Sequence, residues 1–156
     1  MNHQRIANLT LDERSIVRWN ADIDHERKVA IFDLLEDNKF APQAPSDGPF
    51  HVHLRLEESR LVLDVSTQSG GPVDIISVPL VVFRRIIRDY FTVCDSYFNA
   101  IKTASPSRIE AIDMGRRALH DEGSDLLRER LASKVEIDAK TARRLFTLLC
   151  VVTLRG

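Results

Sequence analysis

The sequence predicts an α+β fold, a small antiparallel β-meander packed against a C-terminal helical layer. Three observations carry that expectation. Phe50-His51-Val52-His53-Leu54-Arg55-Leu56 alternates strictly between apolar and polar residues, the period of a half-buried strand. From Leu80 the spacing changes: Leu80, Phe83, Ile87, Tyr90, Cys94, Tyr97 and Ile101 step by threes and fours, the period of a helix. Strands therefore cluster in residues 1–79 and helices in 80–156, a segregation that belongs to α+β architecture. The 156 residues are expected to form one domain.

In chain order, Ala7, Leu9 and Leu11 alternate and predict a first strand over 5–11. Thr10 and Glu13 stand at capping-box spacing, so a short helical turn is expected after it. Asp24 is the expected N-cap of a helix from Arg27 to Asp37, and Asn38 its C′ residue. Three prolines and a glycine between Ala41 and Pro49 predict a loop. Turns at Glu57–Arg60 and Gln68–Pro72 then separate the Phe50 strand from return strands over 61–66 and 73–78.

The helix beginning at Leu80 carries enough apolar residues to be central. Ser105-Pro106 supplies an N-cap followed by proline at the first helical position, with Ser107 and Glu110 as a competing capping box. Ala111, Gly115 and Ala118 on the helix that follows predict close approach of a neighbour. Gly123-Ser124 is expected to end that helix. Val135–Ile137 is a short extended piece, and Asp138 caps a last, strongly apolar helix.

The formal net charge of −1 gives nucleic acid no global attraction. The distribution is uneven: residues 1–79 hold 8 Lys+Arg against 13 Asp+Glu, and residues 80–156 hold 14 against 10. Arginine supplies 17 of the 22 positive residues, which suits anion recognition and equally follows from GC-rich codons. Cys94 and Cys150 sit among apolar neighbours and predict reduced, buried thiols. Met1–Arg5 precedes no apolar run and so predicts no signal peptide. The most apolar stretch, Leu145–Leu154, is about half the length a membrane span needs, so the expected compartment is the cytoplasm.

Several side-chain groups invite a chemical reading. His51 and His53 share one strand face, as a metal pair would, but only Asp64 stands near them, so two polar surface positions are expected and no metal. In Asp24-His25-Glu26-Arg27, helix capping accounts for both acids. Cys94 lies on the apolar seam, where a thiol stays protonated and inert. Arg84 and Arg88 are four apart on one helix face, a like-charge pair that wants an answering anion. Glu110, Asp113, Arg117 and His120 step by 3, 4 and 3, with Arg116 beside them. That stripe fits a phosphate-handling set, with Arg84, Arg88, Arg116 and Arg117 as anion clamps and His120, Glu110 and Asp113 as acid–base groups. It also fits an ordinary solvated helix face. Arg143-Arg144 joins the other arginines if the helices bundle. Tyr90, Phe91, Tyr97 and Phe98 lie on the seam and are expected in the core rather than as base-stacking platforms.

Three segments are distinctive in wording: His25-Glu26-Arg27-Lys28-Val29-Ala30-Ile31-Phe32-Asp33-Leu34-Leu35-Glu36, Phe83-Arg84-Arg85-Ile86-Ile87-Arg88-Asp89-Tyr90-Phe91, and Ile109-Glu110-Ala111-Ile112-Asp113-Met114-Gly115-Arg116-Arg117. Through them nearly the whole chain resembles an uncharacterised bacterial protein family, number 0262 of the UPF series. The resemblance implies a small cytoplasmic bacterial protein and transfers no catalytic residue.

Two function classes remain. The first is a non-enzymatic interaction or regulatory protein whose helical half binds a protein partner. The second is an enzyme or sensor for a small phosphorylated ligand held by the arginine, histidine and carboxylate groups. No cofactor is expected, nucleic acid and membranes are not expected partners, and a homodimer is compatible with either class.

Overall fold

The computed structural model describes residues 3–12 and 21–153, without the side chains of 21–24. In chain order the elements are β1 (Ile6–Leu11), α1 (Ala21–Glu36), β2 (Phe40–Pro42), β3 (Phe50–Glu57), β4 (Arg60–Thr67) and β5 (Pro72–Pro79). A 3-10 turn over Leu80–Phe83 leads into α2 (Arg84–Thr103), α3 (Pro106–Leu131), β6 (Val135–Ile137) and α4 (Ala139–Thr153). The fold is α+β, as the segregation of periods predicts. The expected turn after Thr10 lies outside the described residues. So does the Asp24 side chain, and α1 already begins at Ala21.

The meander is β3–β4–β5, antiparallel throughout, with Phe50 opposite Thr67 and Glu57 opposite Arg60. Its alternation delivers Phe50, Val52 and Leu54 to the core beside Leu61, Leu63 and Val65. The tight turn between β3 and β4 holds Glu58 and Ser59 at φ 49° and 66°, the conformation that a two-residue hairpin with right-handed twist requires. β1 joins this meander as a parallel edge strand against β3. A parallel neighbour needs a long crossover, and α1 supplies it.

Asn38 binds the two ends of that crossover together. Its buried amide accepts a hydrogen bond from Ile6 N at 2.7 Å and donates to Ile6 O at 3.0 Å, much as a neighbouring strand would. It also donates to Leu34 O at 2.8 Å, satisfying a carbonyl at the end of α1. The expected role at the helix terminus is thus filled, with a strand attached to it.

Beyond α1 the chain departs from expectation over Phe40–Pro42, whose last two residues open the loop expected from Ala41 to Pro49. These three residues form β2 and pair with β6 in a second small antiparallel sheet. A three-residue strand has no period to detect.

The central helix is α4, not α2. Thr141, Ala142, Leu145, Phe146 and every residue from Leu148 to Val152 are buried in α4. In α2 burial is concentrated in the first half, at Ile86 and Tyr90, with Ala100 beyond, while Phe98 and Ile101 are exposed. The seam was therefore read correctly as helical and incorrectly as wholly internal. At about 1.5 Å per residue, α2 and α3 reach about 30 and 39 Å, and Phe98, Ile101 and Met114 leave the end of α2 and the start of α3 poorly covered.

Both helix starts obey their capping signals. Arg108 N donates to Ser105 Oγ at 3.4 Å with Pro106 opening α3, and Thr141 N donates to Asp138 Oδ1 at 2.9 Å at the start of α4.

The small-residue expectation is corrected in its position. Nothing lies within 4 Å of a Cβ placed on Gly115, and Ala111 and Ala118 face solvent. Gly123, read as a helix terminator, lies inside α3, which continues to Leu131. A Cβ there would stand 2.1 Å from Cζ of Phe146 on α4, a fully buried ring. The close approach is real but sits two turns further along. Gly123→Ala should accordingly destabilise the protein by about 2–3 kcal/mol through overpacking, although alanine is the better helix former. Urea unfolding of the variant against wild type measures this, and an unchanged midpoint would refute the packing role.

Candidate functional site

Four helices enclose a half-open cleft of about 970 Å³. Its base is α4, whose one interruption of apolar character is the stripe Arg143, Arg144 and Thr147, continued by Cys150 and Val151. One wall is α1, with His25, Glu26, Val29, Ala30 and Asp33. The other combines Tyr90, Phe91, Cys94, Asp95, Tyr97 and Phe98 of α2 with Arg116, Arg117 and His120 of α3.

The expected site residues divide. Arg116, Arg117 and His120 reach the cleft, and Arg143 and Arg144 join them as the bundling condition required. Arg84 instead borders a separate small hollow with Leu56, Ser59, Leu80, Ile87 and Thr153. Arg88 is exposed, its Nε 3.5 Å from Asp89. The acids near that face are taken up largely by Arg85, which pairs with Asp89 at 3.3 Å and with Glu122 of α3 at 2.6 Å. Glu110 is exposed and outside the cleft.

Asp113 organises the arginine wall. Arg116 donates to its Oδ1 from Nε and Nη2 at 3.0 and 2.6 Å, and Arg117 donates from Nε to Oδ2 at 2.9 Å. The hydrogen bonds from Arg116 and then Arg117 hold the carboxyl below its usual range. One carboxylate thus orients two guanidinium forks and neutralises one of them. Arg116 also lies over the Tyr97 ring at 5.4 Å. Its burial would lower its pKa, but hydrogen bonds to Asp113 and Tyr90 outweigh that. Across the cleft, the pairs Arg143–Asp121 and Arg144–Asp33 are loose, at 3.6 and 3.7 Å. Pairs this long and this exposed exchange readily for a better acceptor.

His120 stands where these charges meet. Burial first, and then Arg143, Arg116 and Arg144 against the opposing effect of Asp121, lower its pKa to about 4. It is neutral at pH 7. Thr147 Oγ1 lies 2.8 Å from Nε2 of the imidazole and 3.1 Å from Arg143 O, so its hydroxyl bridges the ring to the α4 backbone. The ring packs between Tyr90 and Phe146, with centroids 5.5 and 5.2 Å away.

Three titratable groups of the cleft stay neutral. Burial pushes the Tyr90 hydroxyl up, and the Cys94 and Cys150 thiols with it, so all three keep their protons. Both thiols are free, as their apolar context predicts, and Cys94 has no activated character.

The histidine strand resolves into ordinary polar pairing. His51 bonds Asn8 and Thr10, His53 bonds Thr10 at 2.6 Å, and Asp64 is held by Arg55 at 2.7 Å. Among the described residues, no group of three or more His, Cys, Asp or Glu side chains is arranged to hold a metal, and no helix is long and apolar enough to cross a membrane.

Fold and site together define an α+β protein with an arginine-flanked cleft between four helices. Residues 3–155 match the model of an uncharacterised protein family, UPF0262, and the chain belongs to that family. A UPF0262 protein of Xanthobacter autotrophicus is 56% identical over 153 residues, covering 97% of this chain and 93% of that one. Relatives from Rhodopseudomonas palustris (54%, over 99% of this chain and 95% of that one) and Paramagnetospirillum magneticum (51%, over 99% of each) bear the same family name. No solved structure matches the chain.

The His120 environment has a pH consequence. Above pH 6.5 neither the native nor the unfolded chain protonates this group. Between 6.5 and about 4 only the unfolded chain does, so stability falls as pH falls, by up to about 1.4 kcal/mol per pH unit. In urea unfolding at pH 7 and pH 5, wild type should lose about 1–2 kcal/mol more than His120→Gln, whose amide can still hydrogen-bond Thr147. Equal losses would show that the imidazole is not held neutral.

Proposed function

We propose that the protein binds a small anionic, phosphorylated ligand in the four-helix cleft and acts as a binding or sensing protein in the cytoplasm. The observation that carries this reading is the convergence of Arg116, Arg143 and Arg144, from two helices, on neutral His120 in the wall of the cleft. Asp113 adds to it by holding two guanidinium forks while cancelling one charge. Arginine forks suit phosphate oxygens, and water-poor surroundings strengthen each contact. Binding is favoured over catalysis because the candidate acid–base groups are otherwise engaged. His120 is hydrogen-bonded to Thr147, Asp113 is occupied by two arginines, and Glu110 faces solvent. Two free thiols are in keeping with a reducing compartment.

Thermal-shift and calorimetric screening against nucleotides, sugar phosphates and pyrophosphate tests the reading. A ligand that stabilises wild type should bind Arg117→Ala and Arg143→Ala about tenfold or more weakly, the usual worth of a charge-assisted hydrogen bond. If no phosphorylated compound stabilises wild type, or if Arg117→Ala responds as wild type does, the reading fails.

A protein partner is the second reading, supported by Ile101 on α2 and Met114 on α3, both apolar and exposed. Affinity capture should then recover, in repeated preparations, one protein that the Ile101→Asp/Met114→Asp double variant does not retain. Identical profiles for the two baits would end this reading. A second copy of the chain is covered by sedimentation of the purified protein, where a dimer would dissociate in the same variant.

A further inference from the structure

The cleft is divided in chemistry as well as shape. Its arginines lie along α3 and the first turns of α4, at Arg116, Arg117, Arg143 and Arg144. Away from them the lining carries apolar side chains set among the acids Glu26, Asp33 and Asp95: Ala30 of α1 and Val151 of α4 are buried, and Val29 of α1 and Phe98 of α2 line opposite walls while 43% and 53% exposed. Two hydrophobic side chains left facing water across one groove are an unsatisfied surface that an apolar occupant would cover. An anion alone, such as inorganic phosphate, would fill only a small part of about 970 Å³, a volume at the upper end of sites for drug-sized molecules.

We infer that the ligand of this cleft is an anionic amphiphile, a molecule with a phosphate or carboxylate head gripped by the arginine wall and an apolar chain or ring system laid between Val29 and Phe98. The inference rests on the anion-binding reading and adds the ligand's second half. Charge complementarity fixes the orientation. The head can replace the loose partners of Arg143 and Arg144, whose existing contacts of 3.6 and 3.7 Å it would shorten. Cys94, Cys150 and Tyr90, which all keep their protons at pH 7, offer the body a neutral surface. Glu26 and Asp95, which also line the cleft, disfavour a second anionic group at the apolar end.

Calorimetry with three matched probes tests this: inorganic phosphate, n-octyl phosphate below its micellar concentration, and 1-octanol. Octyl phosphate should bind at least about tenfold more tightly than either of the others, because it alone combines head and chain. Val29→Ser/Phe98→Ser, two exposed positions whose loss leaves the core intact, should weaken octyl phosphate several-fold and leave phosphate unchanged. Arg143→Ala should weaken both. If octyl phosphate and phosphate bind equally, the anion site stands and the amphiphile inference is overturned. If octanol equals octyl phosphate, an apolar pocket exists without a head-group site, and both readings fall. If none of the three binds, the cleft takes no ligand of this class and both fall together.

Discussion

The ring of Phe146 fills the volume that a side chain at position 123 would occupy, and this single contact governs the helical half. Interiors are packed near crystalline density, so two helices meet only as closely as their bulkiest facing atoms allow. Glycine on α3 and phenylalanine on α4 set that distance. From it follow the 2.8 Å contact between His120 and Thr147 and the pairing of Asp121 with Arg143. Widening the crossing by even a methyl group would separate the arginines of α3 from those of α4. The geometry of the cleft is thus a packing property before it is an electrostatic one.

The electrostatics then follow a simple division. Groups that lie deep are kept neutral by the cost of desolvating a charge, and arginines, which do not give up theirs, remain toward the opening. Tyr90, Cys94, Cys150 and His120 are all titratable in principle and all uncharged at pH 7. Four ionisable side chains therefore create a quiet interior, while Asp113 prevents Arg116 and Arg117 from repelling each other apart.

Local signals in the sequence were legible wherever one residue type serves one physical purpose. The β3 alternation, Ser105-Pro106, Asp138 and the terminal role of Asn38 all appear as expected. What was not legible depends on which surfaces meet. The seam from Leu80 to Ile101 is regular, but regularity does not tell how far along a helix its neighbours extend, so Phe98 and Ile101 were assigned to the core and lie outside it. Gly123 carries the signature of a helix stop, and only the opposing ring shows that it is a spacer. On the site, the Arg116–His120 cluster was found from its helical spacing, whereas Arg84 and Arg88 share its composition and face elsewhere. The contribution of α1 to the cleft left no trace, because Val29, Ala30 and Asp33 are unremarkable residues made relevant by position. The polar stripe Arg143-Arg144-Thr147 on an otherwise apolar helix was the available clue to the base.

The pairing of β2 with β6 bears on how the chain reaches this arrangement during synthesis. Phe40 stands opposite Ile137, so a strand made early in translation waits for one made almost a hundred residues later. α1 likewise packs on α4, made more than a hundred residues later. The β3–β4–β5 meander can form as it emerges, since its contacts are local in sequence. The parts of α1 and β2 that pack on α4 and β6 stay uncovered until those two elements are made. Chains cut short before Val135 would keep that surface exposed, which makes β6 and α4 the elements that decide between a folded product and an aggregating one.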